Sequence, residues 1–140
     1  MRHWLFKSEP STWSWDDQVA RGTAGQEWDG VRNYQARNVM REMAVGDLGF
    51  FYHSQGERAV VGIVEICAAV HPDSTADGDD RWECVDVRAV APLPHPVTLA
   101  DVKAEPDLAD MALVRQSRLS VQPVTPAQWE RVCAMGGYRT

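Results

Sequence analysis

The chain has 140 residues, 44% of them hydrophobic and 24% charged, enough for one domain with a buried core over residues 1–140. A formal net charge of −6 argues against a generic nucleic-acid coat. No run approaches the length of a membrane span and the opening MRHWLFKSEP has no signal-peptide apolar region, so a cytoplasmic protein without a membrane partner is expected.

The cysteines Cys67, Cys84 and Cys133 lie far apart without a CxxC pair, and His3, His53, His71 and His95 lack ligand spacing. Reduced thiols and no metal or cofactor are expected. Charge is unevenly spread: residues 1–58 carry net −1, residues 59–114 net −8 and residues 115–140 net +3. An anion site should therefore draw on Arg32–Arg41 and on Arg115 and Arg118, with the acidic middle facing away.

In chain order, His3–Lys7 (HWLFK) predicts a short aromatic-rich strand, broken at Ser8-Glu9-Pro10. Ser14 opens a helix with Asp16 and Asp17 in its first turn, running to about Ala20 and stopping near Gly22. Thr23–Glu27 reads as a polar loop.

Trp28–Asn38, WDGVRNYQARN, holds almost nothing apolar. Asp29-Gly30 signals a turn, Asn33 is a helix N-cap, and Tyr34–Met43 has helical spacing. The helix start and Arg32, Arg37 and Arg41 suit a phosphate; the alternative is a capped surface helix with a solvated Arg face.

Beyond the Val45-Gly46-Asp47 turn, Leu48–Ser54 and Ala59–Val70 read as strands joined by a hairpin loop over Ser54–Arg58. Glu65 breaks the second strand's apolar run and is expected to pair with an arginine or a backbone donor. Pro72–Asp80 reads as a solvated acidic loop, without the spacing or closing Glu of a calcium loop. Trp82–Ala91 is a further strand, ended by Pro92, Pro94 and Pro96. Thr98 caps a helix over Leu99–Ala104, residues 107–114 are helical or irregular, Ser117–Gln122 returns as a strand, and a capping box at Thr125 starts a helix over Pro126–Ala134. The order predicts an α+β fold: a strongly curved mixed sheet, or small barrel, flanked by helices.

Enzyme signatures such as GxSxG, GxxxxGK[ST], HExxH and GxGxxG are missing, and His53 and Ser54, as neighbours on a strand, point to opposite faces. What remains is a set of aromatics (Trp4, Trp13, Trp15, Trp28, Tyr34, Tyr52) with small polar groups at strand ends. Most of these rings should pack in the core, but Trp28 sits in a polar, turn-rich segment. An aromatic wall with polar groups around it is what an unpaired base requires.

WLFKSEP (Trp4–Pro10), WDGVRNYQARN (Trp28–Asn38), Gly46-Asp47, FFYHS (Phe50–Ser54), VGIVEI (Val61–Ile66) and SRLSVQPV (Ser117–Val124) resemble the EVE domain family across nearly the whole chain. The resemblance implies a PUA-like fold, near the YTH, ASCH and PUA domains, and a pocket that recognises a modified base, modified cytosine in DNA. By position it places Lys7, Ser8 and Glu9 at the pocket rim, Trp28 as an aromatic wall, and Val31, Arg32 and Asn33 at the floor. Tyr52, His53 and Ser54 close the opposite side, and Ser117 and Arg118 approach from the C-terminal part. Arg32, Arg37 and Arg118 are the phosphate contacts.

The expected function is a non-catalytic, monomeric reader whose partner is nucleic acid carrying a modified base. The alternatives are an enzyme acting on a nucleotide or modified RNA, by analogy with ASCH domains, and a scaffold whose pocket binds only buffer ions. A pocket with no paired acid and base favours the reader; a Lys or carboxylate aimed at its centre favours the enzyme.

Overall fold

The structure is a computed structural model, described here for residues 1–139. Its strands are β1 (His3–Ser8), β2 (Gln26–Glu27), β3 (Leu48–His53), β4 (Ala59–Pro72), β5 (Glu83–Thr98) and β6 (Val121–Val124). Its α-helices are α1 (Trp15–Ala20), α2 (Tyr34–Arg41), α3 (Leu99–Ala104), α4 (Ala112–Arg115) and α5 (Pro126–Met135). The strands form one mixed sheet, ordered β2-β5-β4-β3-β1-β6, in which only the β1–β3 pair is parallel. Among the described residues no helix is long and apolar enough to cross a membrane.

The helix starts follow from side-chain caps. Ser14 and Asp17, Thr98 and Asp101, and Thr125 and Gln128 form reciprocal capping boxes, and Asn33 accepts from the Ala36 N–H at 2.9 Å. Each satisfies N–H groups that a helix start leaves without partners.

Alternation along the strands builds a core on each face of the sheet. Trp4 and Phe6 of β1 and Phe51 of β3 pack with α1, Trp28 and α2 on one face. Leu5, Phe50 and Tyr52 pack with the C-terminal helices on the other. Register shifts in β4 let Val60 and Ile63 serve the second core while Val64 and Ile66 serve the first. Such bulges bend a long strand and curve the sheet. Gly62 lies at one of them, and a Cβ there would come 2.5 Å from the Trp15 ring, so glycine admits the indole.

The structure corrects the sequence reading at four places. Pro92, Pro94 and Pro96 do not end their strand, because β5 continues to Thr98 against β4. β2 borders β5 only at Asp86 and Val87, so beyond them the missing proline N–H groups break no ladder on that side. Gln26–Glu27 is a short strand rather than part of a loop. β6 starts at Val121, leaving 117–120 outside the strand, although Lys7 N–H still donates to Ser120 C=O at 2.9 Å. The acidic segment after β4 is not wholly solvated: Asp73 is buried and starts a 3₁₀ turn over Ser74–Ala76. Glu65 pairs with Arg88 on the neighbouring strand, Arg88 Nε donating at 2.7 Å, as its position required.

Candidate functional site

The end of β1, the loop after it, β2 and the turn at 28–32 enclose a cavity of about 370 Å³. Its aromatic sides are Trp28 and Trp13. Trp28 is carried in by β2, and its N–H donates to Val85 C=O at 2.8 Å. Its indole stands edge-on to Phe6 and Phe51, with centroids 5.1 and 5.6 Å away. Trp28 is 8% exposed, so most of the indole belongs to the core and the remainder faces the cavity. Trp13 is fixed by its indole N–H, which donates to Gln18 at 3.0 Å; buried Gln18 in turn donates to Val87 C=O at 3.1 Å. The Ser8 hydroxyl donates to Trp13 C=O, tying the end of β1 to that aromatic wall.

The turn beside Trp28 is held from the acidic segment. Gly30, at φ +77°, donates its N–H to Asp73 Oδ2 at 2.9 Å, and Arg32 Nη1 donates to the same oxygen at 3.1 Å. Arg32 also donates to the Thr75 hydroxyl at 3.1 Å. Burial pushes the Asp73 carboxyl up, but hydrogen bonds from Thr75, Gly30 and Arg32 outweigh it and hold the group below its ordinary range.

Three carboxylates and two cations line this cavity: Glu9, Glu27, Asp29, Lys7 and Arg32. Glu27 accepts from the Ser74 hydroxyl at 2.7 Å and Ser74 N–H at 3.1 Å, which keep its carboxyl below the usual range. Asp29 moves the other way: burial, reinforced by Asp73 and Glu27, raises it. Glu27 also lies with His71 and Cys84, their ligand atoms within 4.8 Å of one another, a grouping hidden in the sequence by wide separations.

The cavity brings together Lys7, Ser8, Glu9, Trp28, Val31 and Arg32 of the expected site. It adds Trp13, Gln26, Glu27, Asp29, Gly30 and Ser120. Asn33, Tyr52, His53, Ser54 and Ser117 do not line it. Asn33 is spent on the α2 cap. His53 Nε2 accepts from Trp15 N–H at 3.1 Å, and burial lowers the imidazole pKa, consistent with an acceptor role. Tyr52 faces the opposite core from Trp28 because it alternates with Phe51 along β3; with Ser54 and Ser117 it lines a second cavity. Arg118 borders a third, with Asn33 and Ser117. Arg37 lies over the Tyr34 ring, 4.8 Å from its centroid, and donates to Arg81 C=O at 3.0 Å. The expectation that the acidic middle faces away is overturned by Asp73, which reaches back to Gly30 and Arg32. Trp13 was visible in the sequence as a candidate aromatic surface, and Asp29 only as a turn residue.

The curved mixed sheet with helices on both faces, and a cavity walled by tryptophans from the β1 and β2 ends, define a PUA-like α+β domain. The family model described as "EVE domain" matches residues 2–135, and the chain belongs to that family. Human "Thymocyte nuclear protein 1" is 32% identical over 164 residues, covering 95% of this chain and 73% of that protein. A crystal structure of a protein from Agrobacterium tumefaciens superposes with a TM-score of 0.97 at 61% identity, covering 99% of this chain and 94% of that one. The crystal structure of human THYN1 protein in complex with 5-methylcytosine-containing DNA superposes with a TM-score of 0.91 at 32% identity, covering all of both chains. The YTH domain of Zygosaccharomyces rouxii MRB1 shares the fold, with a TM-score of 0.59 at 16% identity, covering 99% of this chain and 88% of that one.

Proposed function

We propose that this protein reads a modified nucleobase in nucleic acid, with modified cytosine in DNA as the preferred target, and binds it without chemical turnover. The observation that carries this reading is the cavity of about 370 Å³ beside Trp28, closed by Trp13 and ringed by polar groups. A base leaving its stack loses π contacts that an indole restores, and polar groups then read its edge. The human relative's complex with 5-methylcytosine-containing DNA supports the choice of target. Lys7, Ser8, Glu9, Trp28 and Val31 are the pocket residues of this proposal, joined by Trp13 and Asp29. The acceptor-rich lining suits a base edge that donates, as the amino group of cytosine does.

The enzyme alternative keeps one specific support: Asp29 and Glu27 are carboxyls in one cavity whose environments move them apart, the pattern of an acid and a base. Ser74 and Cys84 already engage Glu27, which favours a structural role for that carboxylate.

One experiment tests both readings. The protein is titrated with oligonucleotides each carrying one modified base, and each strand is then weighed by mass spectrometry. Preferential binding of a modified-cytosine strand recovered unchanged is expected. Uniform affinity across the panel removes the reader, and a change of mass establishes the enzyme.

A further inference from the structure

A second cavity, about 310 Å³, shares Lys7 with the first. Its polar lining is Lys7, Arg58, Tyr52, Ser54 and Ser117, with no carboxylate. Leu99 and Leu113 complete it. The electrostatic contrast with the Trp28 cavity, which holds three carboxylates, is direct.

The two cations here have no carboxylate partner among the described residues. The Lys7 ammonium donates to Ser117 C=O, which leaves two of its protons free. Burial lowers its pKa. Tyr52 is 3% exposed and lines the cavity. Among the described residues its hydroxyl has no hydrogen-bond partner, while burial and the nearby Arg58 act on it in opposite directions. A tyrosine hydroxyl without a protein partner, two cations without a carboxylate ion pair and two serines form a set of donors that an oxyanion satisfies.

We propose that this cavity is an oxyanion site for a phosphate of the nucleic acid whose base enters the Trp28 cavity; the identity of the ligand rests on the reader function proposed above. Lys7 joins the two sites. The base meets acceptors and aromatic faces on one side of it, and the phosphate meets cations and hydroxyls on the other. Arg32, the cation nearest the turn, is held by Asp73. Phosphate recognition therefore passes to Lys7 and Arg58.

The test uses the full chain and its Arg58→Gln variant. Arg58 is exposed, so the fold should persist, as circular dichroism would verify. The probes are inorganic phosphate, followed by NMR at the Lys7 and Tyr52 side chains, and a DNA strand with one 5-methylcytosine beside its unmodified twin, titrated over a salt series. Arg58→Gln should weaken both strands about tenfold and reduce the salt slope by about one contact, leaving the ratio between strands unchanged. Phosphate should shift the Lys7 and Tyr52 signals, and the DNA strand should prevent that shift, which identifies the strand's own phosphodiester. A phosphate shift that DNA leaves in place, with unchanged DNA affinity in the variant, overturns the nucleic-acid source and identifies a free phosphate. No phosphate shift and unchanged DNA affinity overturn the site altogether. A parent protein that binds both strands equally, yet weakens on Arg58→Gln, sinks the base-reading function and leaves the oxyanion site standing.

Discussion

Asp73 and Arg32 meet at 3.1 Å, and the same Asp73 oxygen accepts the Gly30 N–H at 2.9 Å. The acidic segment after β4 thus holds the turn that carries Trp28. Asp73→Ala leaves the Gly30 N–H and the Arg32 guanidinium without their acceptor, and should lower stability by about 2 kcal/mol. Urea denaturation measures this, and an unchanged midpoint would show that the turn holds itself. Oligonucleotide affinity should fall as well, because Gly30, Val31 and Arg32 line the cavity.

Two buried aspartates set the acid limit of the fold. Asp47 accepts from the Trp4 indole at 3.0 Å, Ala44 N–H at 3.0 Å and Arg2 N–H at 3.2 Å. Burial pushes its carboxyl up, yet these bonds leave it lowered, as with Asp73. A carboxyl depressed in the folded state binds protons more readily when unfolded. Its stabilisation is therefore present above the ordinary value of 3.8 and is lost as pH falls through the lower folded value. Denaturation midpoints measured from pH 6 downward should show a shallower acid limb in an Asp47→Asn, Asp73→Asn double variant than in the parent. Equal limbs would assign acid unfolding to other groups.

Trp28 serves the core and the cavity together. Losing a stacking face costs roughly 1–3 kcal/mol of binding by alanine substitution, about ten- to a hundredfold in affinity. Its contacts with Phe6 and Phe51 mean that Trp28→Ala also costs about 3–5 kcal/mol of stability. Trp28→Phe keeps an aromatic surface and should lose less of both. Affinity for a modified-base strand, measured well below each variant's melting temperature, separates the two effects. An alanine variant that is folded and binds like the parent would remove Trp28 from the site.

Glu65 is a structural residue on this account. It pairs with Arg88 across β4 and β5, and both side chains are partly exposed, so Glu65→Gln should cost under about 1 kcal/mol and leave affinity untouched. Lost binding with an unchanged melting temperature would assign it to the site.

The sequence made some of this legible and hid the rest for physical reasons. Local signals were sufficient for the helix starts: Ser14, Asn33, Thr98 and Thr125 each cap a helix at the position that side-chain chemistry indicates. Trp28 was singled out because a large aromatic sat among polar residues, and it does border the cavity. Tyr52 and Ser54 line a different cavity from Trp28, because a motif names neighbours in sequence, whereas alternation along β3 sends Phe51 and Tyr52 to opposite faces. The Asp73–Arg32 pair spans 41 positions and depends on the path of the segment after β4, so charge counting alone put that segment on the wrong side. Gln26–Glu27 is too short to carry a strand period of its own.

The central claim is that the Trp28 cavity distinguishes a modified base from its parent. Its most direct test is the affinity ratio for two DNA strands of one sequence, differing only by a methyl group on one cytosine, at one salt concentration. Burying a methyl contributes about 0.8 kcal/mol, so the methylated strand should bind at least about fourfold tighter in the parent protein. Equal affinities for the two strands would contradict the claim.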